Sequence, residues 1–222
     1  MSGFLDKVKA IVEVKWNREA FFKVVSEIYP SLDPRHKLLR RAYEDTKRGF
    51  QGIFREGGDR YFEHPRFVVL ILIIYLRVKD LSVILAGMLH DNSEDLPSYP
   101  IERVRENFGE RVAELVQRLT KRPRSEFSSK EEQEKAYHAL FATADRDFFL
   151  IKLADRLHNL LTLGACSEEK MRRKVEETRL YYMPYAEKYW ILYHELDEAM
   201  REIEKKYLPA GSSIPDSKYS TY

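Results

Sequence analysis

The chain has 222 residues, enough for one domain with a sizeable buried core. Apolar residues make up 44% and charged ones 33%, the balance of an ordinary globular protein. A formal net charge of +2 is too small to make nucleic acid the main partner, and the single cysteine, Cys166, excludes an internal disulfide and a thiolate-rich metal site.

In chain order, the N-terminal "MSGFLDKVKAIVEVKW" carries charges through its apolar positions and has no signal-peptide core. The absence of one, and of paired cysteines, is compatible with a reducing cytoplasm. "NREAFFKVVSEIY" has apolar residues at helical spacing, with Asn17 as its N-cap. "SLDPRHKLLRRAYEDTKRGFQGIF" opens a second helix at Asp33-Pro34 and is expected to stop near Gly57-Gly58. "FVVLILIIYL", from Phe67 to Leu76, is about half of the ~20 residues needed to cross a bilayer. It reads as a buried helix headed by His64-Pro65, and no membrane association is expected.

"IERVRENFGERVAELVQRLTK" reads as two amphipathic helices hinged at Gly109, and Ser128 or Ser129 caps the helix after it. "FFLIKLADRLHNLLTL", from Phe148 to Leu163, is apolar on nearly every side and is expected to run through the middle of the domain. Two long, charge-laced helices follow, and "PAGSSIPDSKYSTY" reads as a flexible tail over 209–222, behind a single domain over 1–208. The fold class is all-α, a helical bundle with extra N-terminal helices.

The chemistry concentrates in "LAGMLHDNSEDLPSYP". His90, Asp91, Glu94 and Asp95 follow an apolar segment at once, and residues four apart share a helical face, so His90 pairs with Glu94 and Asp91 with Asp95. On the central helix Lys152, Asp155, Asn159 and Thr162 form one stripe. A carboxylate such as Asp155 in so apolar a segment needs a cation. With His64 from a third element, two imidazoles and two carboxylates make a mixed nitrogen–oxygen site for one divalent transition metal, manganese or iron sooner than structural zinc. His158 reads as a hydrogen-bonded core histidine or one that orients a ligand, and His36, His138 and His194 as surface groups.

The order His64, His90-Asp91, Asp155 resembles the HD superfamily of metal-dependent phosphohydrolases. "YFEHP", "GMLHDNSED", "VRENFGERVAELVQRLTK", "LIKLADRLHNLLTL" and "RRKVEETRLYYMPYAEK" resemble more closely the hydrolase domain of the RelA/SpoT family and the small alarmone hydrolases. That resemblance implies a manganese-dependent enzyme that removes the 3′-pyrophosphate of ppGpp and pppGpp. It implies His64, His90, Asp91 and Asp155 as metal ligands, and Glu94 and Asp95 as the pair that positions or activates the attacking water. Arg55, Lys152, Asn159, Thr162 and Tyr182 would line the nucleotide pocket.

Three positions depart from the family pattern: Glu56 stands where a lysine is usual, Leu161 where an arginine is, and Leu96 where a threonine is. These departures leave open an HD phosphohydrolase for another nucleotide, such as ppApp. A non-catalytic alarmone sensor is the third reading. Oligomeric state is left open by the sequence.

Overall fold

The structure is a computed structural model that describes residues 3–207; the expected tail over 209–222 lies outside the described residues. Thirteen α-helices are formed within them, and no strand; one isolated antiparallel bridge pairs Phe54 with Arg60. The caps follow the sequence. Asn17 accepts from the Ala20 N–H to start α2 (Arg18–Ile28), Asp33 accepts from Arg35 to start α3 (Pro34–Gly49), and Ser129 accepts from Glu132 to start α9 (Lys130–Ala139).

Two apolar helices make the centre. α4 (Glu63–Leu70), extended by a π turn over Ile71–Tyr75, packs against α5 (Leu81–Leu89), which also contacts α3 and α8 (Glu110–Leu119). α10 (Arg146–Leu161) crosses α4, α5 and α8, and twelve of its sixteen residues are buried, so it cannot be a surface helix. α6 (Asn92–Asp95) is a single turn, followed by α7 (Ile101–Phe108). α11 (Glu168–Glu177) runs through a second π turn, Thr178–Tyr182, into α12 (Met183–Tyr189). α1 (Phe4–Val12) closes on the last helix, α13 (Tyr193–Tyr207), where Glu198 accepts from the Leu5 N–H at 2.9 Å and Lys9 meets Glu202 at 2.5 Å. No helix among the described residues is long and apolar enough to cross a membrane.

Two expectations are corrected. α3 ends at Gly49, well before Gly57-Gly58. The chain then turns at Gly52 (φ +81°) into a loop, closed by the Phe54–Arg60 bridge and by Phe50 stacked on Tyr61 at 4.4 Å. His36 and His138 are buried, not surface groups. His36 sits against Phe22, 3.4 Å from the Ser26 hydroxyl, and His138 stacks on Tyr181 at 3.8 Å. On both helices the charged neighbours face solvent while the imidazole faces in. His194 is exposed, as expected.

Gly109 separates α7 from α8 at φ +91° and ψ 167°, a region that side chains avoid, although a Cβ there would meet nothing within 4 Å. The cost of Gly109→Ala is therefore backbone strain alone. We expect a loss of about 1–3 kcal/mol in denaturant unfolding, with metal binding unchanged.

Candidate metal centre and nucleotide cleft

α4, the α5–α6 junction and α10 each bring one part of the centre. His64 lies in the first turn of α4, His90 caps α5, Asp91 begins α6, and Asp155 lies midway along α10. The junction is anchored from behind: Thr46 of α3 donates to the Met88 carbonyl at 3.2 Å and accepts from the Asn92 amide at 3.1 Å. That clamp fixes where α5 stops and hence where His90 and Asp91 point.

His64, His90 and Asp91 form a tight group, and both imidazoles are buried. The two Nε2 atoms face each other at 3.3 Å. His64 Nε2 is 3.6 Å from Asp91 Oδ2 and 3.2 Å from Asp155 Oδ1, and His90 Nε2 is 3.2 Å from Asp91 Oδ1 and 4.0 Å from Asp155 Oδ1.

The hydrogen bonds behind the rings fix their tautomers. His90 Nδ1 donates to the Gly87 carbonyl at 2.9 Å, the arrangement that in a neutral ring turns the Nε2 lone pair to the centre. Arg55, which can only donate, reaches His158 Nδ1 at 3.2 Å, so that atom is an acceptor, and His64 Nδ1 donates to it at 2.9 Å. His64 Nε2 is therefore unprotonated as well. Burial, with His64 and Arg55 beside it, pushes His158 well below the usual histidine range, and burial also lowers His64. Two lone pairs aimed at each other, flanked by two carboxylates, call for a shared cation. Bonds of about 2.0–2.3 Å hold neighbouring ligands of one ion roughly 3 Å apart, and the observed separations fit.

The HD-domain family matches residues 42–191, a span that contains all four of these side chains. The chain belongs to that family. Among curated relatives, the GTP pyrophosphokinase of Streptomyces coelicolor is 36% identical over 151 residues, 68% of this chain and 18% of that protein. The guanosine-3′,5′-bis(diphosphate) 3′-pyrophosphohydrolase of Aquifex aeolicus is 37% identical over 169 residues, 74% of this chain and 24% of that one. The bifunctional (p)ppGpp synthase/hydrolase SpoT of Escherichia coli is 34% identical over 171 residues, 75% and 24% respectively. The match thus spans about a fifth to a quarter of these relatives. A solved structure of a metazoan ortholog of SpoT that hydrolyses ppGpp shares the fold, with a TM-score of 0.58 and 23% identity over 78% of this chain and 97% of that one.

Around the HD centre, Asp155 is the most constrained side chain. Burial works against its charge, but the Lys152 ammonium at 3.0 Å holds the carboxyl well below its usual range. Asn159 donates to its other oxygen at 2.5 Å. Tyr61, which sequence reasoning passed over, bridges two acids: its hydroxyl is 3.0 Å from Asp91 Oδ2 and 2.8 Å from Asp95 Oδ2. Glu94 and Asp95 stand at the rim, and crowding by protein raises both carboxyls above their usual values.

A cleft of about 400 Å³ opens beside this centre, lined in part by Arg55, Tyr61, Arg156, Asn159, Thr162 and Lys174. Arg55 also donates to Asn159 Oδ1 at 2.5 Å. Three of the residues expected in a nucleotide pocket therefore share one wall: Arg55, Asn159 and Thr162. Lys152 lies behind that wall, at Asp155. Tyr182 does not reach the cleft: it is fully buried against Phe141 and His138, with the Arg156 guanidinium 3.8 Å over its ring.

Lys152 and Asp155 depend on each other. The apolar core around α10 suggests that Asp155→Ala would spare the fold, but the substitution strands a buried ammonium. We expect it to cost the metal-free protein about 3–5 kcal/mol, as loss of one partner of a buried pair does. Adding Lys152→Met should recover much of that in denaturant unfolding, while metal affinity, read by titration, stays lost.

Proposed function

We propose that the protein is a metal-dependent 3′-pyrophosphohydrolase of ppGpp- and pppGpp-type alarmones, acting in the cytoplasm with manganese as its ion. The observation that carries the reading is the pair of imidazole Nε2 atoms, of His64 and His90, facing each other between Asp91 and Asp155, with a second acid pair beside them. The relatives' names supply the substrate class. Nitrogen and oxygen donors without a thiolate suit manganese.

His64, His90, Asp91 and Asp155 would hold the ion, which lowers the pKa of water and offsets phosphoryl charge when bound. Tyr61 fixes Asp95 alongside Asp91, and Glu94 is held by the Lys121 backbone N–H, which donates to Oε2 at 3.0 Å. Either acid can then take the proton of an attacking water at a carboxylate oxygen. Arg55, Asn159 and Thr162 would orient the nucleoside along the cleft wall.

A second reading, an adenosine alarmone such as ppApp, is favoured by one contact. Glu56 pairs with Lys170 at 2.7 Å on the cleft wall, so a carboxylate stands where the base or a phosphate approaches. Incubation with manganese and a panel of ppGpp, pppGpp, ppApp and plain nucleotides, followed by product identification, separates these. Release of pyrophosphate from an adenosine alarmone alone would select the second reading; binding without any turnover would leave a sensor.

Glu94→Gln with Asp95→Asn keeps shape but removes the bases. Turnover should fall by about 10²–10⁴-fold, with metal content unchanged. The pH profile gives a separate check. A base works ionised, and burial raises both carboxyls, so the acidic limb of kcat should lie above the ordinary carboxylate range and vanish in the double variant. A limb that persists would belong to loss of the ion.

A further inference from the structure

A second cavity, of about 530 Å³, reaches His64 and His158 from behind, and none of Asp91, Glu94, Asp95 or Asp155 lines it. Its inner wall is the head of α4 and the end of α10, with His64, Arg66, Phe67, His158 and Thr162. Its outer wall is the segment from Val12 to Trp16, between the bodies of α1 and α2. That segment lies outside the span 42–191 matched by the HD-domain family. Arg55, Asp59 and Thr162 line both this cavity and the cleft, and so stand between the two.

Two buried donors in the inner wall are unmet. Arg55 reaches His158 Nδ1 at 3.2 Å and His64 donates to the same atom at 2.9 Å. A ring that accepts at Nδ1 carries its proton on Nε2 when neutral, and no protein acceptor meets that Nε2 among the described residues. Arg66 gives Nη2 to Glu63, and its Nε has no acceptor. Unpaired buried donors are costly, and what both lack is an acceptor. The charged groups around the cavity are Lys15, Arg55, Arg60 and Arg66 against Glu13, Asp59 and Glu63, one cation in excess. Glu63 is shared by Arg60, at 2.5 Å, and Arg66. Trp16 and Phe67 supply flat apolar surface, and Phe67 stacks on His158 at 5.2 Å.

We propose that this cavity binds a small organic monoanion with a flat apolar body, that its oxygen accepts from His158 Nε2, and that its binding strengthens the metal centre. An oxygen on the Nε2–H pushes electron density toward His158 Nδ1, which then draws harder on the His64 Nδ1 proton. His64 Nε2 thereby becomes a stronger ligand atom. The site rests on the cavity and its donors. The coupling rests on His64 as a metal ligand, and neither depends on which nucleotide is hydrolysed.

The test uses benzoate as the anion and benzamide as its neutral counterpart, with the metal-stripped full chain. Trp16 and Trp190 are the only tryptophans, and Trp190 is 81% exposed, so Trp190→Phe leaves Trp16 as the sole indole reporter, in the cavity wall. We expect benzoate to change Trp16 emission and benzamide to bind about tenfold more weakly, as loss of a charge-assisted hydrogen bond requires. Val14→Asp and Lys15→Glu, both at exposed positions, add a carboxylate to the wall and should weaken benzoate about two- to fivefold each. Calorimetric titration with saturating benzoate should show manganese binding about fivefold or more tighter, with benzoate tightened by manganese to the same degree. No Trp16 response to benzoate, equal binding of benzamide, or wild-type benzoate affinity in both wall variants overturns the site. Benzoate binding that leaves manganese affinity unmoved overturns the coupling. Failure to hydrolyse any alarmone removes the hydrolase reading and leaves both of these results standing.

Discussion

Everything at the centre hangs on keeping a carboxylate charged inside an apolar helix. Asp155 is buried, yet two donors hold it ionised: Lys152 at 3.0 Å and Asn159 at 2.5 Å. Both come from α10 itself, at spacings of three and four, so one helical face supplies both the acid and its support. The same helix carries His158, which fixes the tautomer of His64 from behind. Because α10 is packed on nearly all sides, none of these groups can turn away, and the ring orientations follow from the core.

That dependence explains what the sequence could and could not reveal. The convergence of His64, His90, Asp91 and Asp155 was legible because His-Asp, the acid pair and the stripe on α10 obey helical spacing, and buried charge in an apolar run is a chemical anomaly that demands a partner. The all-α class and the hinge at Gly109 were legible for the same periodic reason. Tyr61 was not, because it arrives from a loop after α3 that has no period, and only folding sets it between Asp91 and Asp95. His36 and His138 were misread since their sequence neighbours are charged, and composition hides which face turns inward.

Tyr182 shows a different limit. It sits at the end of the π turn Thr178–Tyr182, where the wider turn shifts the helical register away from the regular 3.6-residue period. The expectation for Tyr182 came from the motif resemblance alone, which does not say which way the ring turns. In the structure it forms the floor beneath Arg156, holding the guanidinium toward Glu177. A tyrosine expected to line the nucleotide pocket instead supports the charge that lines the cleft.

The loop between α3 and α4 ties these parts together. Arg55 donates to both His158 and Asn159, so one guanidinium touches the histidine behind His64 and the wall of the cleft at once. Its neighbour Glu56 turns outward to Lys170 on α11. A residue pair on one short loop thus fixes the inner end of the cleft with a cation and neutralises a cation farther along the wall.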